Sequence, residues 1–289
     1  MTGLTLADIA MLACPRCRGG MAASGSSLAC LRCHASYGTA SGVIDLLPWS
    51  GGAPGAEWRR WRDKLETLQR WRRDTWDGSS ESGLRQRQAD DLAARFFRFA
   101  AIPEGARVLE VGCGGGHLRR FLPGRTYWGL DPLASADGSP EEAWAAPARL
   151  VRGVGERLPI ADSTFDVVVV CETLDHCLEP ASLLGEARRV LAFGGLLAVM
   201  QSVRVQGPPA PRRARLRAAA GRLKGRLLRR GKVDDAATKM HAMGPRDLVA
   251  LVGCGLVVEQ EAMSEAVMFL RAVKRPGLAP SIPSMGAAP

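Results

Sequence analysis

A cluster of glycines at a strand-to-helix junction constrains the fold of this chain more than any other feature. The stretch RVLEVGCGGGHLRRFL covers residues 107–122, and Gly112, Gly114 and Gly116 recur in it at every second position. Glycine is costly in ordered structure, so such a cluster indicates positive φ angles or a ligand pressed against the main chain. The stretch therefore predicts a strand, a glycine turn and a helix.

Short apolar runs rich in Val and Leu alternate with helix-like stretches in the remainder of the chain. These runs are Val108–Val111, Tyr127–Leu130, Leu150–Val151, Val167–Val170 and Leu196–Met200. Strands that are buried on both faces have continuous apolar runs of this kind. Near the C-terminus, GLVVEQEAM and EAVMFLRAVKR are close neighbours and predict an antiparallel pair at the sheet edge. We predict an α/β fold with a doubly wound, mostly parallel seven-stranded sheet.

Two C-x-x-C pairs near the N-terminus predict a small metal-binding module. CPRC and CLRC contain Cys14, Cys17, Cys30 and Cys33, with twelve residues between the pairs. This spacing is typical of a zinc ribbon, in which each pair supplies two thiolates to one tetrahedral Zn²⁺. Four thiolates fill the coordination sphere, so the zinc is expected to be structural, with His34 as a substitute ligand. Metal binding would supply much of the stability of so small a module.

Changes in composition along the chain predict its organisation. We expect a zinc ribbon at 1–48, a linker with N-terminal helices at 49–100, a main domain at 101–274 with a basic insertion at 203–234, and a disordered tail at 275–289. Within the linker region, Trp58, Trp61, Leu65, Leu68 and Trp71 recur at helical spacing. This stripe predicts a helix that packs on the main domain or on the ribbon, and an aromatic substrate platform is the alternative.

The formal net charge of +10 comes from one basic segment. Arginines and lysines crowd the chain from Arg204 to Lys232, and no acidic residue lies among them. Such a segment would suit an anionic substrate, RNA or an anionic membrane surface, and a solvated helix of biased composition is the plainer interpretation. The sequence leaves these alternatives open.

The N-terminal residues and the cysteine content bear on the compartment. The start of the chain lacks the basic and apolar regions of a signal peptide, and its eight cysteines include the two C-x-x-C pairs. We therefore expect a reducing, cytoplasmic setting. No run approaches the roughly 20 apolar residues that are needed to cross a bilayer.

Several motifs in order resemble the class I S-adenosylmethionine-dependent methyltransferases, in a type 11-like domain. VLEVGCGGG is similar to the first motif of that family, and it is followed by YWGLDP, GVGERLPIADSTFDVVVV, CETLDHCLEP and EARRVLAFGGLLAV. A dinucleotide fingerprint would need a third glycine where His117 stands, and a P-loop would need Gly-Lys-Ser/Thr. The resemblance implies a Rossmann-like methyltransferase that uses S-adenosyl-L-methionine.

The resemblance also implies a set of cofactor-binding residues. They are Glu110, Gly112, Cys113, Gly114, Gly116, Asp131, Pro132, Gly155, Glu156 and Cys171. In the family, an acidic residue at the position of Asp131 takes the ribose hydroxyls, and the positions of Gly155 and Glu156 border the adenine. Cys171 would lie beside the methionyl amino group. Val154 departs from the pattern, because many relatives have an acidic residue there that accepts a hydrogen bond from the adenine amino group.

The methyl acceptor should lie over the carboxyl ends of the strands, near Glu172 and Asp175. His176 and His241 are the candidate catalytic residues because imidazole exchanges a proton near neutral pH, and a capping or packing role is the alternative for each. We expect methyl transfer to an O, N or C atom of a small-molecule or lipid-linked acceptor. If the basic segment contacts the acceptor, we expect that acceptor to be anionic. The alternatives are a zinc-ribbon ribosomal RNA guanine methyltransferase and a non-catalytic binding protein of the same fold. The acceptor, the use of a general base and the oligomeric state are not predicted.

Overall fold

The computed structural model describes residues 4–40, 43–48, 61, 63–64, 67, 80–134, 149–204 and 241–278. Most of the predicted linker, the basic segment after Arg204 and the tail from residue 279 lie outside the described residues. Of the tryptophan stripe, Trp61 is described. Within the described ranges, no helix combines the length and the apolar character that crossing a membrane requires.

The N-terminal module is a three-stranded antiparallel sheet beside a short helix. Helix α1 spans Leu6–Ala10 and is followed by strands β1 (Met21–Ser24), β2 (Ser27–Cys30) and β3 (Ser36–Tyr37). Strand β2 pairs with both neighbours. Thr5 caps α1, because its hydroxyl accepts from Asp8 N while the Asp8 carboxylate accepts from Thr5 N.

A mixed sheet of nine strands lies at the centre of the described structure. Its strands are β4 (Thr39–Ala40), β5 (Val43–Asp45), β6 (Arg107–Val111), β7 (Thr126–Asp131), β8 (Arg149–Arg152), β9 (Phe165–Cys171), β10 (Leu191–Ser202), β11 (Val257–Ser264) and β12 (Val267–Val273). Their order is β11-β12-β10-β9-β6-β7-β8-β5-β4. The five predicted apolar runs pair in parallel, and the C-terminal pair is antiparallel, so the predicted fold is confirmed.

Two strands from the N-terminal part of the chain extend the predicted seven-stranded sheet to nine. Strand β5 pairs in parallel with β8, with Ile44 opposite Val151 and Asp45 opposite Arg152. Strand β4 then pairs antiparallel with β5. A bare edge strand exposes unpaired backbone groups, so this addition covers the edge that β8 would otherwise present.

Among the described residues, three α-helices of eight or more residues pack against the sheet or its loops, and each buries an apolar face. They are α2 (Ser80–Ala100), α3 (Pro180–Val190) and α4 (Pro245–Val252). In α2, the buried side chains Ala93, Phe96 and Ala100 recur at helical spacing, and the Phe96 ring meets Phe269 of β12 edge-on at 5.5 Å. Helix α3 begins with Pro180, whose fixed φ suits the first position of a helix.

The N-terminal module shares its core with the main domain. Leu12 forms an antiparallel bridge with Ile160, which lies in the loop after β8. Leu12 and Tyr37 belong to the same buried cluster as Leu158 and Ile160. The module is therefore docked on the main domain through apolar contacts as well as through the β5–β8 pairing.

Candidate functional site

The predicted cofactor-binding residues meet at one edge of the sheet. Strands β6, β7, β8 and β9 are parallel neighbours, so their carboxyl ends lie together. All ten residues lie on β6, in the turn after it, or at the ends of β7, β8 and β9: Glu110, Gly112, Cys113, Gly114, Gly116, Asp131, Pro132, Gly155, Glu156 and Cys171. In open α/β sheets, this is the edge where ligands bind.

The glycine turn after β6 has the backbone that its sequence predicts. Gly112, Gly114 and Gly116 have φ angles of 79°, 56° and 75°. A Cβ added at Gly112 would lie 2.2 Å from the Thr173 hydroxyl oxygen. Internal packing as well as backbone conformation therefore requires glycine at position 112. The element after the turn is a five-residue 3₁₀ helix, His117–Phe121, and Pro123 prevents a longer helix there.

The Asp131 carboxylate fixes the shape of this turn. Its Oδ2 atom accepts a hydrogen bond from Gly114 N at 2.8 Å, and its Oδ1 atom accepts one from Leu133 N at 2.7 Å. Each carboxylate oxygen has a second lone pair, so both can accept further hydrogen bonds. The carboxylate at the end of β7 can thus hold the glycine turn and still accept from a ligand hydroxyl.

Glu110 lies beneath the turn as a fully buried carboxyl group. The pKa of Glu110 is raised to about 8, chiefly by burial and also by the negative charge of Asp131, while a hydrogen bond from the Tyr127 hydroxyl acts in the opposite direction. That hydroxyl donates to Glu110 Oε2 at 2.6 Å. A cationic ligand at the turn would favour the ionised form of this group.

We expect the stability of the protein to decrease as the pH rises towards 8. The pKa of Glu110 is about 8 in the folded protein and 4.5 ordinarily, so the folded state binds this proton more tightly between those pH values. This group should lower the free energy of unfolding by up to about 1.4 kcal/mol per pH unit in that window. Urea unfolding at pH 6, 7 and 8 measures this slope. Glu110→Gln should flatten it, and an unaltered slope would contradict the assignment.

The loop after β8 contains Gly155 and Glu156, and both contact neighbouring parts of the protein. Gly155 is buried, and a Cβ there would lie 2.6 Å from Leu183 Cδ1 of α3. Glu156 Oε1 accepts hydrogen bonds from Leu178 N at 2.6 Å and Glu179 N at 3.4 Å. Burial raises the pKa of Glu156. The Glu156 carboxyl therefore ties this loop to the segment after β9, and Gly155 lies directly beside it.

Trp61 covers the same loop. It is 4% exposed and packs with Val154, Leu133 and Leu178 in a small apolar cluster. Its indole N–H donates to the main-chain oxygen of His176 at 3.4 Å. Trp61 therefore packs on the main domain, at the edge where the cofactor-binding residues meet.

The segment after β9 contains the acceptor-side candidates. Cys171 ends β9, and burial raises its pKa well above the ordinary value. Glu172 follows with a φ of 48°, which is uncommon for a residue with a side chain. Such backbone conformations are concentrated at functional sites. No pattern in the sequence predicts this conformation.

The two candidate histidines approach the same segment. His241 Nε2 lies 3.0 Å from both Cys177 O and Leu178 O. A ring nitrogen between two carbonyl oxygens must carry its hydrogen and donate it, so Nδ1 is the ring atom of His241 left to accept a proton. His176 Nε2 lies 3.8 Å from Asp175 Oδ1. Catalysis by either histidine stays a prediction.

The four cysteines of the N-terminal module form a candidate metal centre. Their sulfur atoms all lie within 4.8 Å of one another, with Cys14 to Cys33 at 3.6 Å and Cys17 to Cys30 at 3.4 Å. Zinc–sulfur bonds of about 2.3 Å in a tetrahedron place the sulfurs somewhat under 4 Å apart, so the donor set fits Zn²⁺. The Tyr37 hydroxyl oxygen lies 3.1 Å from Cys14 Sγ and so contacts the four-cysteine group. Among the described residues, His34 is not part of this four-cysteine group, and its side chain is exposed.

Comparisons with known proteins agree with this geometry. A family model described as a methyltransferase domain matches residues 109–199. Phthiotriol/phenolphthiotriol dimycocerosates methyltransferase 1 of Mycobacterium ulcerans is 40% identical over 99 residues, which are 32% of this chain and 36% of the relative. A ubiquinone biosynthesis O-methyltransferase of Cereibacter sphaeroides is 30% identical over 120 residues, 37% of this chain and 47% of the relative.

A third relative is similar over the same extent. The malonyl-[acyl-carrier protein] O-methyltransferase of Pectobacterium atrosepticum is 35% identical over 96 residues, 32% of this chain and 38% of the relative. The chain thus spans less than half the length of each of these three curated relatives. The matched segment contains the glycine turn, Asp131 and strand β9. Residues 109–199 therefore match a methyltransferase domain, and the N-terminal four-cysteine cluster is consistent with a zinc ribbon.

Proposed function

We propose that this protein transfers a methyl group to an O, N or C atom of a small-molecule or lipid-linked acceptor. When bound, S-adenosylmethionine supplies a methyl group that is already activated for in-line displacement. The observation that carries the proposal is the hydrogen bond between the Asp131 carboxylate and Gly114 N. It joins the glycine turn of a methyltransferase domain to the acidic residue that this family uses for ribose.

The residues around the turn have distinct proposed roles. Asp131 accepts hydrogen bonds from the ribose hydroxyls while it holds Gly114 and Leu133. Glu110, with a pKa of about 8, is largely protonated at neutral pH without the ligand; the cationic part of the ligand would favour its ionised form, which would then provide negative charge beside that cation. Gly155 borders the adenine, and Cys171 lies beside the methionyl group. The transfer needs alignment and exclusion of water more than it needs a strong base.

The acceptor class rests on the relatives and on the loop after β9. The three relatives are named for phthiotriol/phenolphthiotriol dimycocerosates, for ubiquinone biosynthesis and for malonyl-[acyl-carrier protein], so the acceptor is proposed to be a small or lipid-linked molecule. His176 is the proposed residue to receive a proton where the acceptor has one to lose. His241 is proposed to hold the Cys177–Leu178 main chain in place through Nε2. The zinc in the N-terminal module is proposed to be structural, because its four donors leave no open position.

One observation favours a second candidate, an RNA guanine methyltransferase. The four-cysteine module precedes a methyltransferase domain in this chain, as it does in the zinc-ribbon ribosomal RNA enzymes that its sequence resembles. Its two C-x-x-C segments and the residue after the first of them include Arg16, Arg18 and Arg32, but the module has few aromatic side chains that could stack on bases. The small-molecule acceptor is therefore our first choice.

Calorimetric titration with S-adenosylmethionine and S-adenosylhomocysteine tests the proposal. We expect micromolar binding of both, unaffected by a short RNA hairpin at physiological salt. RNA binding that persists at that salt concentration would favour the RNA enzyme, because nonspecific phosphate contacts weaken steeply with salt. If neither ligand binds, the methyltransferase proposal is wrong, and the non-catalytic binding protein remains.

A further inference from the structure

The loop between β8 and β9 is bonded to the N-terminal module through its main chain. Ala13 N donates to Pro159 O at 3.0 Å, and Ala161 N donates to Met11 O at 2.9 Å. The same loop contains Gly155, a few residues before these contacts. The N-terminal module and the candidate adenine site therefore share one short loop.

Side chains strengthen this junction. Arg157 Nη2 donates to the main-chain oxygen of Arg16. Arg18 Nη2 donates to Glu186 Oε1 at 2.8 Å, and the other oxygen of that carboxylate, Oε2, accepts from Leu158 N at 3.0 Å. Glu186 is 9% exposed, whereas the Arg18 side chain is 39% exposed, so the bridge from the module to the loop is shielded from water at its carboxylate and partly exposed at its guanidinium.

Helix α3 also holds the loop through a second side chain, Arg189. Arg189 Nη1 donates to Ile160 O at 2.8 Å, and its Nη2 donates to Leu158 O at 3.1 Å. Arg189 also pairs with Glu186 at 2.9 Å. The loop is therefore held by helix α3 and by the N-terminal module together, so its position depends in part on the contacts that the module supplies.

Two of the module's contacts come from the first metal-binding knuckle, the turn formed by Cys14 to Cys17 and the residue after it. Arg16 lies between Cys14 and Cys17, and Arg18 follows Cys17. Arg18 N donates to Cys14 O at 2.8 Å, and Arg18 has a left-handed φ of 60°. A Cβ at Gly19 would lie 3.0 Å from Cys30 Sγ, so the two knuckles are tightly packed. Without a metal ion, nothing would join the four thiols, and the knuckle would lose the geometry that places the Arg16 carbonyl and the Arg18 guanidinium.

We propose that the metal in the N-terminal module positions the β8–β9 loop and thereby sets the affinity for the cofactor. Arg18 and Arg157 are the positioning residues that carry this coupling, because they join the knuckle to Glu186 and to the loop. The inference rests on the proposed function, since it takes Gly155 as part of the adenine site. Coupling between two sites is reciprocal, so bound cofactor must tighten metal binding by the same factor.

The first experiment measures both directions of this coupling on the full chain. The affinity for S-adenosylhomocysteine is determined by calorimetry before metal removal with a chelator, after it, and after zinc is restored. Metal affinity is determined with a chromophoric chelator with and without saturating S-adenosylhomocysteine. We expect metal removal to weaken ligand binding by about tenfold or more, and ligand to tighten metal binding by the same factor. Equal affinities in both measurements would overturn the inference.

Removal of the metal can unfold the module, so point variants that keep all four thiolates test the coupling in zinc-loaded protein. Arg18→Gln and Arg157→Gln should each keep stoichiometric zinc and weaken ligand binding by up to about fivefold, as expected for a partly exposed polar contact. Arg16→Gln is the matched control, because its exposed side chain is removed while its main-chain oxygen stays in place. It should bind the ligand as the original protein does.

The outcomes separate this inference from the proposed function. Zinc-loaded protein that binds no S-adenosylhomocysteine contradicts the proposed function. Zinc-loaded protein that binds it, while Arg18→Gln and Arg157→Gln bind it equally well, contradicts the coupling alone. Amide hydrogen exchange gives an independent readout, because Leu158 N and Ala161 N should lose protection in both variants, and in Arg16→Gln they should not.

Discussion

Asp131→Ala is expected to weaken binding of S-adenosylmethionine and S-adenosylhomocysteine by more than about tenfold. The carboxylate accepts hydrogen bonds from Gly114 N and Leu133 N and is the proposed acceptor for the ribose hydroxyls. Hydrogen bonds to a charged group contribute about 1.5 to 3 kcal/mol each, and about 1.4 kcal/mol corresponds to a tenfold change in affinity. Isothermal titration calorimetry on the purified variant measures the change directly.

Asp166→Ala provides the matched control for this substitution. Asp166 lies near the amino end of β9, at the opposite edge of the sheet, and pairs with Arg107 at 2.8 Å. Both members of this pair are more than a third exposed, so its loss should cost little stability and leave ligand affinity unchanged. If Asp131→Ala binds both ligands as tightly as this control does, the ribose site has been assigned to the wrong residue.

Cys14→Ser is expected to release the metal and to destabilise the N-terminal module. Cys14 is fully buried in the core that the module shares with the main domain. Serine cannot replace a thiolate as a zinc ligand, and structural zinc supplies much of the folding free energy of small modules. Each kcal/mol lost should lower the unfolding temperature by roughly 2–4 °C in a protein of this size. Elemental analysis and thermal unfolding measure the two effects.

Cys254→Ser is the control for the loss of a thiol as such. Cys254 follows α4 and lies outside the four-cysteine group. This variant should keep one equivalent of zinc and an unchanged unfolding temperature. Stoichiometric zinc in Cys14→Ser would refute the four-thiolate centre.

The sequence predicts those parts of the fold that have a long or chemically distinctive pattern. The continuous apolar runs of β6 to β10 and the C-x-x-C pairs are such patterns, and both predictions hold in the structure. Strands β4 and β5 are two and three residues long, too short for any periodicity. The extension of the sheet by the N-terminal segment could therefore not be predicted.

The candidate site was predictable in its location and less so in its contacts. The glycine turn and Asp131 have a sequence signature, and the structure brings them within hydrogen-bond distance. Glu156 instead contacts main-chain amides and His241 contacts main-chain oxygens, which are common to nearly all residue types and leave no signature in the sequence. The Arg18–Glu186 pair joins residues 168 positions apart, and pairing over such a distance cannot be inferred from one sequence.

The pairing of β5 with β8 has a consequence for the order of folding during synthesis. Ile44 leaves the ribosome long before Val151, its partner across the two strands, has been made. The four cysteines are complete by residue 33, so the module can acquire its metal while the main domain is still being synthesised. We expect β5 to stay unpaired until β8 emerges, and a zinc-loaded nascent chain to hold this segment close to its final shape in the interval.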